Sequence, residues 1–201
     1  MSGPPGGAIP EEELIRLAKA DPDGAEGRNA CGELLRRYSD AVYLYCFRMV
    51  RDRDTALDLA QEALLDALKG IRGFEARSRF SSWLFAIARN RCRTALRPRS
   101  LMRDEDADLE SLVEPGGDPA SRWLEQDGER RLERLVSEHL EPEEQEAIWL
   151  RYVEGMPVDE ITRVLNLENA TGARGLLQTA LRKLRAARGR AGEEPGGPDE
   201  R

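Results

Sequence analysis

Apolar residues recur at the three- and four-residue spacing of an α-helix in the longest patterned segments of this chain. They form one face from Leu34 to Val50, and they do so again from Thr55 to Lys69, a helix that we expect Asp54 to cap. A third helix is expected from Ser81 or Ser82 to Leu96. Aromatic residues make up only 5% of the chain, which disfavours strands. The sequence therefore predicts an all-α protein.

A break in this pattern divides the chain into two small helical domains. Between Arg99 and Asp127 the apolar period fails, and we expect a flexible acidic linker over residues 100–127. The first domain covers 11–99 and includes a short helix, Glu11 to Ala20. The second covers 128–188, with helices over Arg130 to His139 and Glu143 to Glu154. Residues 1–10 and 189–201 are rich in Gly and Pro and are expected to be disordered.

The end of the second domain has the pattern of a helix-turn-helix. Pro157 suits the first turn of one helix, Asn166 to Asn169 supply a turn, and a second helix starts near Thr171. Such a unit places its second helix in the major groove of DNA. Arg174 and Gln178 are the expected base readers. A helical hairpin with a basic solvated face is the alternative.

The net charge of −7 is segregated along the chain. Arginines without any acid occupy Ala76 to Arg103, and acids dominate from Asp104 to Glu146. Basic residues without any acid return from Ala170 to Arg190. This pattern indicates two phosphate-facing surfaces separated by a segment that faces no phosphate.

Aromatic residues and arginines are combined on one predicted helix and its preceding loop, in the stretch Phe80 to Arg93. Single-stranded DNA is held in this way, with bases stacked on rings and phosphates held by cations. Arg89, Arg91 and Arg93 are hard to explain as packing. Trp83 is as consistent with a core position as with DNA contact, since it shares a helical face with Ile87.

A polar ridge crosses the otherwise apolar second helix. Its members lie at i, i+3, i+4 and i+7 and are Asp58, Gln61, Glu62 and Leu65. Such a ridge is either a docking face for a partner helix or a row of solvated charges, and the residues alone favour solvated charges.

Catalytic and metal chemistry find little support in the residues. Cys31, Cys46 and Cys92 are widely spaced and are expected to be buried, reduced thiols, and His139 is the single histidine. We find no phosphate loop, metal cluster or paired nucleophile and base in the sequence, so we expect no enzyme, no metal and no cofactor. The first ten residues lack a secretory pattern, and a cytoplasmic protein is expected.

In this order, the motifs resemble those of the extracytoplasmic-function (ECF) sigma factors of bacterial RNA polymerase. The resemblance covers about Leu34 to Arg99 and Leu132 to Arg188. It rests on Leu34-Leu-Arg-Arg-Tyr38, Ala56-Leu-Asp-Leu-Ala-Gln-Glu62, Phe80-Ser-Ser-Trp-Leu84, Ile87-Ala-Arg-Asn90 and Gly155-Met-Pro-Val-Asp-Glu-Ile161.

The resemblance implies a role in transcription initiation, with core polymerase (its β′ and β subunits), promoter DNA and an anti-sigma factor as partners. It implies that Asp58, Gln61, Glu62 and Leu65 dock on a β′ coiled coil. For the unpaired bases of the −10 element it implies Phe74, Arg77, Phe80, Trp83, Arg89, Asn90, Arg91, Arg93 and Arg97. For the −35 element it implies Thr171, Arg174, Gln178, Arg182 and Lys183.

The chain departs from the family pattern in its last helix. That helix begins Thr171-Gly-Ala-Arg-Gly-Leu176, with Gly175 where the family has an arginine, and Gly172 and Gly175 together cost about 1–2 kcal/mol of helix propensity. Thr94 stands where an Asp is usual. Two other functions therefore stay open: a helix-turn-helix regulator of duplex DNA, and a sigma-like module that binds polymerase or a regulator without reading promoters.

Overall fold

The computed structural model describes residues 9–97 and 134–191 of the chain. The chain forms two compact units, Met1–Leu101 and Met102–Arg201. Every regular element in the described ranges is a helix, which confirms the all-α prediction. The predicted linker over 100–127 lies outside the described residues, as do residues 1–8 and 192–201 of the predicted disordered ends.

The first unit is a bundle of four helices around α2. Its elements are α1 (Glu11–Ala20), α2 (Ala25–Val50), α3 (Arg53–Gly70), a 3₁₀ turn (Ile71–Gly73) and α4 (Phe80–Leu96). α2 packs against α1, α3 and α4, and α3 also packs against α4. α2 begins nine residues before the predicted Leu34, because Ala30 and Cys31 continue its buried face.

Alanine forms most of the buried face of α3. Its small side chains repeat at helical spacing and let neighbouring helices approach closely. The alanines, each at most 3% exposed, are Ala56, Ala60, Ala63 and Ala67. Leu59 is also buried, whereas Leu57, Leu65 and Leu68 lie on the outer side and are 47%, 53% and 38% exposed. The helical period from Thr55 to Lys69 predicts Leu68 on the apolar face, and the structure leaves it exposed instead.

The start of α3 is fixed by Asp52 rather than by the predicted cap, Asp54. The carboxylate of Asp52 accepts a hydrogen bond of 2.8 Å from the backbone N–H of Thr55. Hydrogen bonds from Thr55 lower the pKa of Asp52. Asp54 instead lies in the first turn, where an acid is favoured by the helix dipole.

The sequence predicts an apolar helix that runs to Leu96, and the buried face of α4 differs from that prediction. It consists of Phe80, Leu84, Phe85, Ala88 and Cys92, with Ser82 and Arg89 also buried. Leu96 is 51% exposed and Ala95 is exposed, so the apolar face stops a turn before the helix ends. The helix begins at Phe80, one residue before the earlier of the two predicted starts.

The second unit contains helical residues 134–139, α5 (Pro142–Tyr152), α6 (Val158–Val164) and α7 (Gly172–Ala191). α7 packs against both α5 and α6. Leu150, Met156 and Ile161 are fully buried at the core of the second unit. Burial of each such side chain contributes about 1.5–3 kcal/mol to stability. α7 continues to Ala191, past the predicted end at 188.

Cys31, Cys46 and Cys92 are buried and form no disulfide, as predicted. A hydrogen bond with Cys92, together with burial, raises the pKa of the Cys46 thiol, and burial raises that of Cys31. Within residues 9–97 and 134–191, three or more His, Cys, Asp or Glu side chains nowhere form a group able to hold a metal ion. None of the helices in these ranges has the length and apolar character needed to cross a membrane.

Candidate nucleic-acid interface

The predicted docking ridge of α3 is exposed along its length. Asp58, Gln61 and Glu62 are all exposed, and Leu65 is exposed beside them. The alanine face on the opposite side of α3 explains why these residues face outward. The ridge thus combines acids, an amide and a leucine on one open surface.

Arg91 links α4 to this ridge. Its Nε donates to the Asp66 carboxylate at 2.6 Å, and its NH1 donates to Glu62 at 3.1 Å. The hydrogen bond with Asp66 raises the pKa of the guanidinium, which stays charged in any case. The structure therefore places Arg91 between two acids of α3 rather than on an open cationic surface.

An aromatic cluster, Tyr38, Phe74, Phe80 and Trp83, lies under the loop between the 3₁₀ turn and α4. The Phe74 and Phe80 rings meet edge to face at 5.7 Å, and Trp83 lies 5.2 and 5.6 Å from them. Phe74 and Phe80 are 3% and 1% exposed, so in this structure they pack in the core and are closed to stacked bases. Trp83 is half-buried.

Trp83 also explains Gly70 at the end of α3. A Cβ at Gly70 would lie 3.3 Å from the Trp83 ring, so a larger residue would press on it. The sequence left open whether Trp83 is a core residue or a DNA contact. In the structure Trp83 makes the packing contacts of a core residue and keeps the partial exposure that a DNA contact needs.

A set of exposed polar side chains, most of them cations, lies in the loop and on or just after the second half of α4. Asn90, Arg93 and Arg97 are exposed and repeat at i, i+3 and i+7, so they share one face. Arg77 is exposed in the loop, where it pairs with Glu75. Arg89 is only 3% exposed and belongs to the core, which differs from its predicted role in DNA contact.

Arg79 belongs to this cationic face but was absent from the predicted site. It is exposed immediately before α4, in the loop that also carries Arg77. Its position in an acid-free, arginine-rich segment was the available signal.

A row of exposed polar side chains runs along α7 in the second unit. It consists of Thr171, just before the helix, and Arg174, Gln178 and Arg182, at spacings of three, four and four residues. Lys183 points elsewhere: its Nζ lies 2.7 Å from the carboxylate of Glu144 on α5. Glu144 is buried, and this pair joins α5 to α7, so Lys183 has a structural contact within the second unit.

The start of α7 is held against α6 by Thr162. The Thr162 hydroxyl accepts from the backbone N–H of Ala173 at 2.9 Å and donates to the carbonyl of Val158 at 2.9 Å. Gly172 has φ +50°, and a Cβ there would lie 2.7 Å from the Thr162 oxygen. The glycine thus serves a left-handed turn and a close helix approach, so the predicted propensity penalty does not apply to it.

Comparison with known proteins places this chain in a family. The Sigma-70 region 2 family model matches residues 34–101. BldN of Streptomyces coelicolor, an ECF RNA polymerase sigma factor, is 32% identical over 174 residues, or 86% of this chain and 63% of BldN. The RNA polymerase sigma factor CarQ of Myxococcus xanthus is 32% identical over 144 residues, or 69% of this chain and 77% of CarQ. This chain belongs to the ECF sigma factors.

The fold of this sigma factor also matches solved structures. The sigma factor RpoE of Bartonella quintana, solved in complex with the anti-sigma factor NepR, has a TM-score of 0.52 at 21% identity over 76% of this chain and 92% of that one. The chain spans less than two thirds of the length of BldN. Of the surfaces described above, the α3 ridge, the loop and α4 lie within the region 2 match, and α1 lies before it.

Proposed function

We propose that this sigma factor binds core RNA polymerase and directs it to promoter DNA, where it supports melting and initiation. The observation that carries the proposal is the region 2 match over a unit whose neighbouring helices α3 and α4 expose an acidic ridge and a cationic face. The polymerase performs the chemistry, so the chain itself is not an enzyme.

In this proposal the two units divide promoter recognition. The first domain, predicted over 11–99, binds the unpaired −10 bases, with the half-buried Trp83 available for stacking and Asn90, Arg93 and Arg97 facing the strand. The second domain, predicted over 128–188, acts as a helix-turn-helix, in which Arg174 and Gln178 read base edges of the −35 element. Each good bidentate base contact contributes about 1–3 kcal/mol of discrimination.

The α3 ridge is the proposed contact with the β′ subunit, and the second unit would meet the β subunit. An acidic, exposed ridge is separate from the cationic DNA face, which lets polymerase and DNA bind at once. An anti-sigma factor is a further proposed partner, by analogy with NepR and the sigma factor RpoE. Polymerase and promoter DNA place the proposed activity in the cytoplasm.

Transcript-start mapping tests the proposal. Core polymerase of the source bacterium transcribes fragmented genomic DNA with and without the full chain, and the transcript starts are sequenced. We expect new discrete starts that share two spaced upstream sequence elements. A chain carrying Arg174→Ala should change the more distant element alone, because a side chain that reads bases carries promoter choice.

Other outcomes of the same experiment favour the alternatives. Binding to core without new starts would replace the proposal with a sigma-like module. Binding to duplex DNA without any binding to core would replace it with a helix-turn-helix regulator. Gly172 no longer supports the module, because its positive φ and its contact with Thr162 give it a structural reason.

A further inference from the structure

Helix α1 contacts the loop that precedes α4. The Nζ of Lys19, in the last turn of α1, donates to the carbonyl oxygen of Phe74 at 2.6 Å. Just after α1, Asp23 pairs with Arg72 of the 3₁₀ turn. These two contacts connect the end of α1 and the residues after it to Phe74 and to the 3₁₀ turn, which lie some fifty residues later in the sequence.

The other end of α1 is attached to the same aromatic cluster. The hydroxyl of Tyr38 donates to the carboxylate of Glu11, and the Tyr38 ring lies 5.7 Å from that of Phe80. Arg37 donates to the carbonyl of Ile9 at 2.8 Å. α1 is thus fixed at both ends around the cluster on which the loop rests.

The loop needs such support because its backbone is not locally favoured. Ala76 has φ +55°, in the left-handed region that residues with a Cβ rarely adopt unless their surroundings hold them there. Phe74 is buried two residues before it, and the exposed Arg77 and Arg79 follow. Fixing the Phe74 carbonyl fixes the direction in which the chain leaves the core towards both arginines.

The geometry points to Lys19 as a positioning residue for the binding of single-stranded promoter DNA. Its ammonium holds the Phe74 carbonyl, and the loop then presents Arg77 and Arg79 beside the exposed face of α4. This inference rests on the proposed function. Lys19 lies outside the region 2 match, which begins at residue 34.

The test compares three variants of the full chain in holoenzyme: Lys19→Met, Lys19→Arg and Arg16→Met. Lys19→Met removes the donor and keeps the length of the side chain, whereas Lys19→Arg keeps a charged donor. Arg16→Met removes one positive charge from an exposed position of the same helix, where Arg16 pairs only locally with Glu13. The probe is a labelled single-stranded oligonucleotide that carries the downstream element of a mapped promoter.

We expect Lys19→Met to lower the affinity for the oligonucleotide roughly three- to tenfold at unchanged affinity for core polymerase, since a charge-assisted hydrogen bond is lost. Lys19→Arg and Arg16→Met should stay close to wild type. The affinity for the oligonucleotide must fall while the affinity for core polymerase stays unchanged. A purely structural role of Lys19 would lower both affinities together with the melting temperature.

Five results would overturn the inference. Lys19→Met could bind the oligonucleotide like wild type, or lose core affinity in step with DNA affinity. Arg16→Met could show the same loss, which would make net charge the cause, or Lys19→Arg could behave like Lys19→Met, which would reject the hydrogen bond. Wild-type holoenzyme that does not bind the oligonucleotide overturns the proposed function itself, and the inference with it.

Discussion

Single residues in this chain take roles that depend on the neighbour they meet. Gly172 and Gly175 are equivalent on a helix-propensity scale, and both were counted as unfavourable in α7. In the structure Gly172 precedes regular helix geometry with φ +50° and lies against Thr162. Gly175 lies inside the helix, where an added Cβ would meet only the exposed Thr171 side chain.

Gly172→Ala should therefore destabilise the second unit by about 1–2 kcal/mol from backbone strain, with the clash against Thr162 adding to this. Gly175→Ala, the matched control, should change stability less, because the Thr171 side chain can rotate and alanine favours the helix. Chemical denaturation of the full chain measures both. Equal losses for the two variants would show that the left-handed turn at Gly172 is not maintained in solution.

At the scale of elements, an ion pair between a buried carboxylate and a partly exposed lysine joins α5 and α7. The Glu144 carboxylate accepts from the backbone N–H of Glu141 at 2.8 Å, as part of a capping box, and from Lys183 at 2.7 Å. Removing one partner of a buried pair leaves the other charge without compensation. Lys183 is thereby separated in function from its neighbour Arg182, which is exposed on α7.

Lys183→Met should lower the stability of the second unit by about 1–3 kcal/mol, less than the loss of a fully buried pair costs, because solvent screens the partly exposed cation. Arg182→Met should leave stability unchanged. If Arg182 contacts a phosphate, its loss reduces the log–log salt slope of duplex DNA binding by about 0.9 in magnitude. A weaker salt slope for Lys183→Met without loss of stability would show instead that Lys183 contacts DNA.

At the scale of the whole molecule, the α3 ridge and the cationic face of α4 are distinct surfaces that meet at one residue. Arg91 of α4 binds Glu62 of the ridge and Asp66 beside it. A change at Glu62 therefore affects both a proposed polymerase contact and an internal ion pair. Asp58 and Gln61 are the better probes of docking, because they are exposed members of the ridge outside this pair.

The double variant Asp58→Ala/Gln61→Ala should weaken binding to core polymerase on the order of tenfold, as expected when two interface side chains contribute less than a hot spot each. Asp40→Ala, which removes an exposed acid from α2, is the control and should bind like wild type. Fluorescence anisotropy of the labelled chain titrated with core measures the affinities. An unchanged affinity for the double variant would reject the ridge as the docking surface.

Much of the fold follows from patterns that depend only on nearby residues. Helical periodicity predicts the helices of both units, and the exposed ridge of α3 follows from the same period. Boundaries were less accurate: Asp52, not Asp54, caps α3, because both acids suit a helix start and only the backbone path selects one. The DNA contacts stay a prediction; among their residues Arg77, Arg93 and Arg97 are exposed, whereas Phe74 and Phe80 are buried.

The sequence by itself determined the helical class, the segregation of charge and the motifs by which the chain resembles its family, because periodicity, composition and spacing are local properties. Only the tertiary structure decided which arginines and lysines face outward. Arg89 is buried, Arg91 binds Asp66, Lys183 binds Glu144 and Lys19 holds the loop. The contacts of Arg91, Lys183 and Lys19 join residues that lie far apart in the sequence. A long cationic side chain can pair wherever packing brings an acid or a carbonyl within its reach.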